Sequence, residues 1–405
     1  MRLCKRGIVV LSGSIGLWSA CGSDGNQATN DGGTDGSTAA CVAQKVTFNA
    51  SMYQHSWDNS IAATFDGNRL LVATVRGAND TYAIDVTARD ANGQQWQKQA
   101  GAAGYTNSGE TPPRVALAQG GGNIAVAWNQ VRLDDAAPRL TQVAVSQFAS
   151  DGTVTMPATV QTRATFGLNS VEANEPRLGY LRSTKQFALG WSEMRVEAND
   201  TYFTYNAFAK VLGGTEARLV QNTNPGGDRD LLLAQVDAFG FDGDGLFALT
   251  YDYTSAATYN TFAMTATGAG PKSPFYMGTG GHVTSTAKVG NAVGYVKFSG
   301  VAGEAGVSVN GVPRLFNLED DPTAAAVVAT ASNFVFAYQT KGDFPFRVIE
   351  IAPNGTVGRT RYTAPRVTKS SIIYSALDGN ALHLVWLQDD LGMWTLTGET
   401  ICLTP

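Results

Sequence analysis

Charge is scarce in this sequence. Asp, Glu, Lys and Arg make up 16 % of the 405 residues and leave a net charge of −5, where an ordinary globular chain carries about 25 %. No basic block stands anywhere, which excludes nucleic acid as a partner, because neutralising phosphates dominates that affinity. Histidine is rarer still: the three copies, His55, His282 and His383, never fall in a His-Glu-x-x-His spacing, so no metal site is read from them. The four cysteines form no paired metal motif. No Gly-x-Ser-x-Gly elbow, phosphate loop or dinucleotide fingerprint stands between a strand and a helix. Beyond the N-terminus no apolar run reaches the ~18 residues of a membrane helix, and no useful helical period is found. What remains is abundant Gly (45 copies) with Thr, Val, Ala and Tyr, the composition of sheet.

The N-terminus reads as an address. Arg2, Lys5 and Arg6 precede an apolar stretch from Gly7 to Ala20, too short to span a membrane and ending Leu17-Trp18-Ser19-Ala20-Cys21. This resembles the lipobox of bacterial lipoproteins, with Trp18 where Leu is usual. The resemblance implies a signal peptide over 1–20 and a lipidated Cys21. Gly22, rather than Asp, after that cysteine favours an outer-membrane or cell-surface location. Residues 21–40 are almost all Gly, Ser, Asp, Asn, Thr and Ala and cannot bury enough apolar area to order, so they are expected to be a tether. With Cys4 in the signal and Cys21 carrying lipid, Cys41 and Cys402 remain in an oxidising compartment and are expected to form a disulfide.

The folded part, 41–405, consists of short strand-like runs between turn signals. A tight turn followed by an apolar strand recurs at Gly67-Asn68, Gly122-Asn123, Thr184-Lys185, Gly243-Asp244-Gly245, Gly290-Asn291, Ser332-Asn333 and Gly379-Asn380. A second turn follows in most units, at Asn92-Gly93, Asp151-Gly152, Gly213-Gly214, Gly268-Ala269-Gly270, Asn310-Gly311 and Asn354-Gly355. Gly and Asn accept the positive φ that such hairpins require. Seven four-stranded units of this kind resemble a β-propeller. The short unit Val283–Asn317 also leaves six or eight blades open. The last unit stops one strand short, and Val42–Asn49 supplies that strand, closing the ring. Trp128, Trp191, Tyr251, Tyr338 and Trp386 recur at one strand position and are expected between blades. The reading is therefore an all-β, seven-bladed propeller of four-stranded blades, a monomer.

In propeller topology both tight turns lie on one face and all long loops on the other, the face expected to carry function. More than half of the acidic residues fall in those long loops, with aromatics Tyr53 and Trp57 and with His55, the one plausible base there. An acid–Pro–Arg arrangement repeats before inner strands, at Glu110 to Arg114 and at Glu175-Pro176-Arg177. Asp228-Arg229 echoes it without the Pro, and Asp320 lies in a later connection. Two readings of these groups stand: an arginine cluster for a carboxylate, as sialidases use, or ion pairs between blades. No Ser-x-Asp-x-Gly-x-Thr-Trp box is present, and Asp242-Gly243-Asp244-Gly245 only approaches a calcium repeat. The expectation is a non-catalytic module that binds a protein or a glycan, with Ca²⁺ as an optional ion and no required cofactor. The alternative is a glycan-active hydrolase or lyase using carboxylates.

Overall fold

The computed structural model describes residues 41–50, 61–78, 81–104, 113–131, 141–162, 170–195, 204–220, 233–253, 257–275, 281–299, 302–310, 312–316, 324–339, 346–364, 370–390 and 393–404. Every regular element among them is a strand, and all belong to the compact unit Cys41–Pro405. β1 (Lys45–Asn49) comes first. Antiparallel meanders follow: β2 (Ile61–Phe65), β3 (Leu70–Ala78), β4 (Thr81–Asp90) and β5 (Gly93–Gly104); then β6 (Val115–Gly120), β7 (Asn123–Val131), β8 (Thr141–Ala149) and β9 (Val154–Val160). Next stand β10 (Ser170–Leu181), β11 (Gln186–Arg195), β12 (Thr204–Val211) and β13 (Ala217–Val220); then β14 (Leu233–Asp242), β15 (Gly245–Tyr253), β16 (Ala257–Thr265) and β17 (Gly268–Phe275). The chain continues with β18 (His282–Val289), β19 (Ala292–Ser299), β20 (Ala302–Val309) and β21 (Val312–Phe316), and with β22 (Ala324–Ala329), β23 (Phe334–Gln339), β24 (Phe346–Ile351) and β25 (Val357–Ala364). It ends with β26 (Ser370–Asp378), β27 (Ala381–Asp390) and β28 (Met393–Cys402).

The first strand of each meander packs against the first strand of the next, and β26 packs back against β2. The ring closes, and the fold is a β-propeller. The expectation of a seven-bladed propeller of four-stranded blades is overturned: the sheets do not number seven. Hydrogen bonding gathers the strands into four sheets, of 4, 12, 8 and 4 strands. Neighbouring meanders are stitched together where their strands converge: Gly104 pairs with Val131, Glu172 with Thr141, and Phe241 and Asp242 with Ala287 and Lys288. A turn count therefore does not count independent sheets.

The hairpins have the chemistry their sequences require. Gly67, Gly122, Gly243, Gly290 and Gly379 take positive φ, as does Lys185 at 56° in a first turn that has no glycine. Burial follows position in the meander. β23, second in its meander, is buried along its whole length, because a unit packs on either side of it, whereas the outer strand β9 is almost wholly exposed. Trp128, Trp191 and Trp386 are fully buried, as expected. Two of them satisfy the indole N–H two residues on: Trp128 Nε1 donates to Gln130 Oε1 (3.2 Å) and Trp191 Nε1 to Glu193 Oε2 (2.8 Å). Strand glycines seat the next unit. A Cβ on Gly294 would stand 2.7 Å from Phe334, and one on Gly398 would stand 2.6 Å from Phe65.

Closure is built as the sequence suggests. β1 pairs antiparallel with β28, Thr47 opposite Thr397, and Cys41 is bonded to Cys402 with their Cα atoms 5.6 Å apart. Val46, Phe48 and Ala50 join Phe65, Leu70 and Val72 from the first meander and Val385 and Leu396 from the last in one core. His383 lies at this seam. Its ring meets Phe65 edge-on at 6.0 Å, and its Nδ1 is 2.9 Å from Thr400 Oγ1.

Candidate functional site

First strands enter the ring at the end that receives the long inter-unit connections, and four of them are irregular there. β10, β14, β18 and β26 shift register between Asn174 and Arg177, Val236 and Ala238, Val283 and Ser285, and Ile372 and Tyr374. Such bulges re-aim side chains. In β10 the cause is legible: Pro176 has no N–H for the ladder, and Glu175 takes a left-handed φ of 54°, which costs a non-glycine residue about 1 kcal/mol.

That conformation lets one carboxylate serve two arginines. Glu175 Oε1 pairs with Arg114 Nη1 of the preceding unit, and Oε2 lies 3.5 Å from Arg177 Nη2. Arg177 Nη1 donates to the Pro176 carbonyl (3.1 Å), and its Nε donates to the Asp237 carbonyl on β14 (2.9 Å). Burial holds the Arg177 guanidinium below its ordinary pKa, against the pull of the Asp237 carboxylate. Asn129 on β7 fixes the near end: its Oδ1 accepts the Arg114 backbone N–H (2.6 Å), and its Nδ2 donates to Asn174 Oδ1 (3.1 Å).

Asp237, the bulged residue of β14, carries the chain of contacts onward. Its side chain is 0 % exposed. Oδ2 accepts the Val283 N–H (2.9 Å), and Oδ1 accepts from Gln235 Nε2 (2.6 Å). The same Oδ1 lies 3.2 Å from His282 Nδ1. His282, first residue of β18, has a side chain 54 % exposed and sits edge-on to Tyr251, ring centroids 5.0 Å apart. The backbone before it is pinned by Tyr259, whose hydroxyl donates to the Gly281 carbonyl (2.6 Å). Behind this wall, Lys297, 1 % exposed, pairs with Glu304 across β19 and β20 at 3.0 Å. Burial, first of all, pushes the Tyr259 and Tyr295 phenols well above their ordinary range.

Of the expected site residues, the structure brings together Arg114, Glu175 and Arg177, as ion pairs between units rather than as an open arginine cluster. Tyr53, His55, Trp57, Glu110, Asp228, Arg229, Asp320 and Cys21 lie outside the described residues. Asp237 and Gln235 escaped the sequence reading, and His282 entered it only as a lone histidine. No local signal joins Asp237 to His282: they are 45 positions apart and meet because β14 and β18 are parallel neighbours. Among the described residues no group of three or more His, Cys, Asp or Glu converges as a metal site. At the opposite end, a shallow depression beside Asn333 and Arg359 holds Glu350, whose oxygens accept from Asn333 Nδ2 (2.8 Å) and Arg359 Nε (3.1 Å).

No family model and no curated protein matches the chain. Among solved structures it is similar to polysaccharide lyase Uly1, with 11 % identity over 85 % of this chain and 90 % of that one, at a TM-score of 0.47. It is also similar to the Neurospora crassa Pan2 WD40 domain (10 %, 87 % and 93 %, TM-score 0.45) and to Trypanosoma rangeli sialidase in complex with sialic acid (7 %, 87 % and 58 %, TM-score 0.41).

Proposed function

We propose that the chain is an extracytoplasmic, lipid-anchored propeller that binds a glycan at the mouth formed by the starts of β6, β10, β14 and β18. The observation that carries this reading is the half-exposed His282 ring, set against Tyr251 and held from behind by the fully buried Asp237. A fixed polar edge beside an aromatic ring suits a polyhydroxylated ligand. Glu175 and Asp237 at the mouth are engaged by arginines, a histidine and a backbone N–H, so a bare cation finds little at these two carboxylates. Neither of these two is free to serve in the carboxylate pair that the hydrolase or lyase alternative needs.

Two experiments test the reading. The unit Cys41–Pro405, which contains every sheet and the disulfide, should retain glycans on an array, and His282→Ala should weaken the hits about tenfold or more, a hydrogen-bonded contact being worth roughly 1.5 kcal/mol. An empty array, or hits untouched by the substitution, refutes the ligand. For the anchor, Cys21→Ser should move the full chain from the membrane fraction to the soluble extracytoplasmic fraction. Retention on membranes refutes it.

A further inference from the structure

The mouth also fixes what His282 offers a ligand. Gln235 Nε2 lies 2.6 Å from Asp237 Oδ1 and 3.0 Å from His282 Nδ1. An amide oxygen in that place would repel the carboxylate, so it is the NH₂ that stands there. That group has two hydrogens to give, one for Asp237 and one for His282. Nδ1 therefore accepts, although Asp237 Oδ1 is itself 3.2 Å away. A neutral imidazole that accepts at one nitrogen carries its proton on the other. Nε2–H is then the donor of a ring more than half exposed. The arrangement is held from behind: Asp237 is fully buried and accepts the Val283 N–H, and Gln235 is 4 % exposed.

We infer that Gln235 sets His282 as a hydrogen-bond donor, and that the mouth takes an uncharged saccharide, one of whose oxygens accepts from Nε2–H. This rests on the glycan reading of the preceding section and narrows it. A hydroxyl or ring oxygen suits a single neutral donor. A carboxylate or sulfate also accepts, but it needs a cation to offset its lost hydration, and the cations described at the mouth are already paired. Arg114 and Arg177 share Glu175, and Lys297 pairs with Glu304. The long connections that join the strands at this end carry more acidic than basic residues in sequence, and such a field turns anions away.

The test reads the tautomer and the ligand separately. The chain has three histidines, so long-range proton–nitrogen spectra of ¹⁵N-histidine-labelled protein are simple, and His282→Gln identifies the His282 signals by their loss. At a pH where the ring is neutral, the wild type should carry its proton on Nε2, with Nδ1 bare. Gln235→Met removes the NH₂ and leaves Asp237 Oδ1 as the partner of Nδ1, so the proton should move to Nδ1. A wild-type ring protonated on Nδ1 overturns the assignment, and so does a tautomer unchanged in Gln235→Met. Should that variant fail to fold, Gln235→Glu replaces it: a carboxylate beside Nδ1 should likewise draw a proton there, and a bare Nδ1 in that variant overturns the role of Gln235. On the array, neutral hexose oligosaccharides should be held about tenfold or more tighter than those of the matching hexuronate. An equal or reversed preference overturns the uncharged ligand. An Nε2–H tautomer together with an empty array overturns the glycan and leaves the assignment of His282 standing, so the two failures are told apart.

Discussion

Replacing Cys41 and Cys402 together by serine should destabilise the propeller by up to about 5 kcal/mol. The bridge spans 361 positions, so in the loop-entropy account it removes more freedom from the unfolded chain than almost any other crosslink could. It also acts locally. β1 is five residues long and has one ladder partner, β28, yet its Val46 and Phe48 complete the core shared by the first and last meanders. Without the bridge, β1 should open before the rest, with the amides of Val46 and Phe48 exchanging faster while those of β15 and β23 are unchanged. The seam should also be acid-sensitive. Burial, first among its causes, holds His383 below the ordinary value of 6.5. The folded seam therefore prefers the neutral ring. Its contribution is fully present above pH 6.5 and is lost as pH falls through the lowered folded-state value. Urea titrations of both forms, at pH 7.5 and at pH values stepped below 6.5, measure both effects. Equal midpoints with and without the disulfide would show that the ladder and core alone hold the ring shut.

Much of this architecture is legible in the chain because its signals are local. A positive φ is enforced by one residue, so Gly67, Gly122, Gly243, Gly290 and Gly379 mark their corners in sequence. A buried aromatic a few residues beyond the corner marks the second strand, as with Trp128, Trp191 and Trp386. Closure is legible because the last meander lacks a strand and the first residues of the folded part offer one. The grouping into four sheets is not, since it depends on single points of convergence such as Gly104 with Val131, which no residue type announces. Nor is the service of strand glycines legible: Gly101, Gly294 and Gly398 seat Trp128, Phe334 and Phe65 of neighbouring units, and the need for a missing Cβ appears only with the neighbour in place. The site divides the same way. The repeated acid–Pro–Arg arrangement flagged Arg114, Glu175 and Arg177, but whether they bind a ligand or each other depends on the spacing of β6 from β10. Asp237 and His282 needed a bulge and a parallel neighbour to meet.

Glu175→Gln should cost about 2 kcal/mol in urea unfolding, with little relief from added salt. Its side chain is 15 % exposed and bridges Arg114 and Arg177, themselves about two-thirds or more buried, so water and ions screen the pairs less than they screen surface pairs. The amide keeps the size of the carboxylate and one acceptor but loses the charge, leaving two guanidiniums facing each other across the join between β6 and β10. Arg177 is the more constrained of the two, because its Nε and Nη1 remain committed to the Asp237 and Pro176 carbonyls and it cannot swing into solvent without leaving those oxygens unpaired. Backbone and charge can be separated by a second variant. Glu175→Gly also removes the charge but suits the left-handed φ of 54°, recovering about 1 kcal/mol of conformational cost, so it should be less damaging than Glu175→Gln despite deleting more atoms. The opposite order would mean that side-chain packing, not charge, is what Glu175 contributes. A loss under about 0.5 kcal/mol in both variants, the range of ordinary surface changes, would mean that the ion pairs do not hold the two units together.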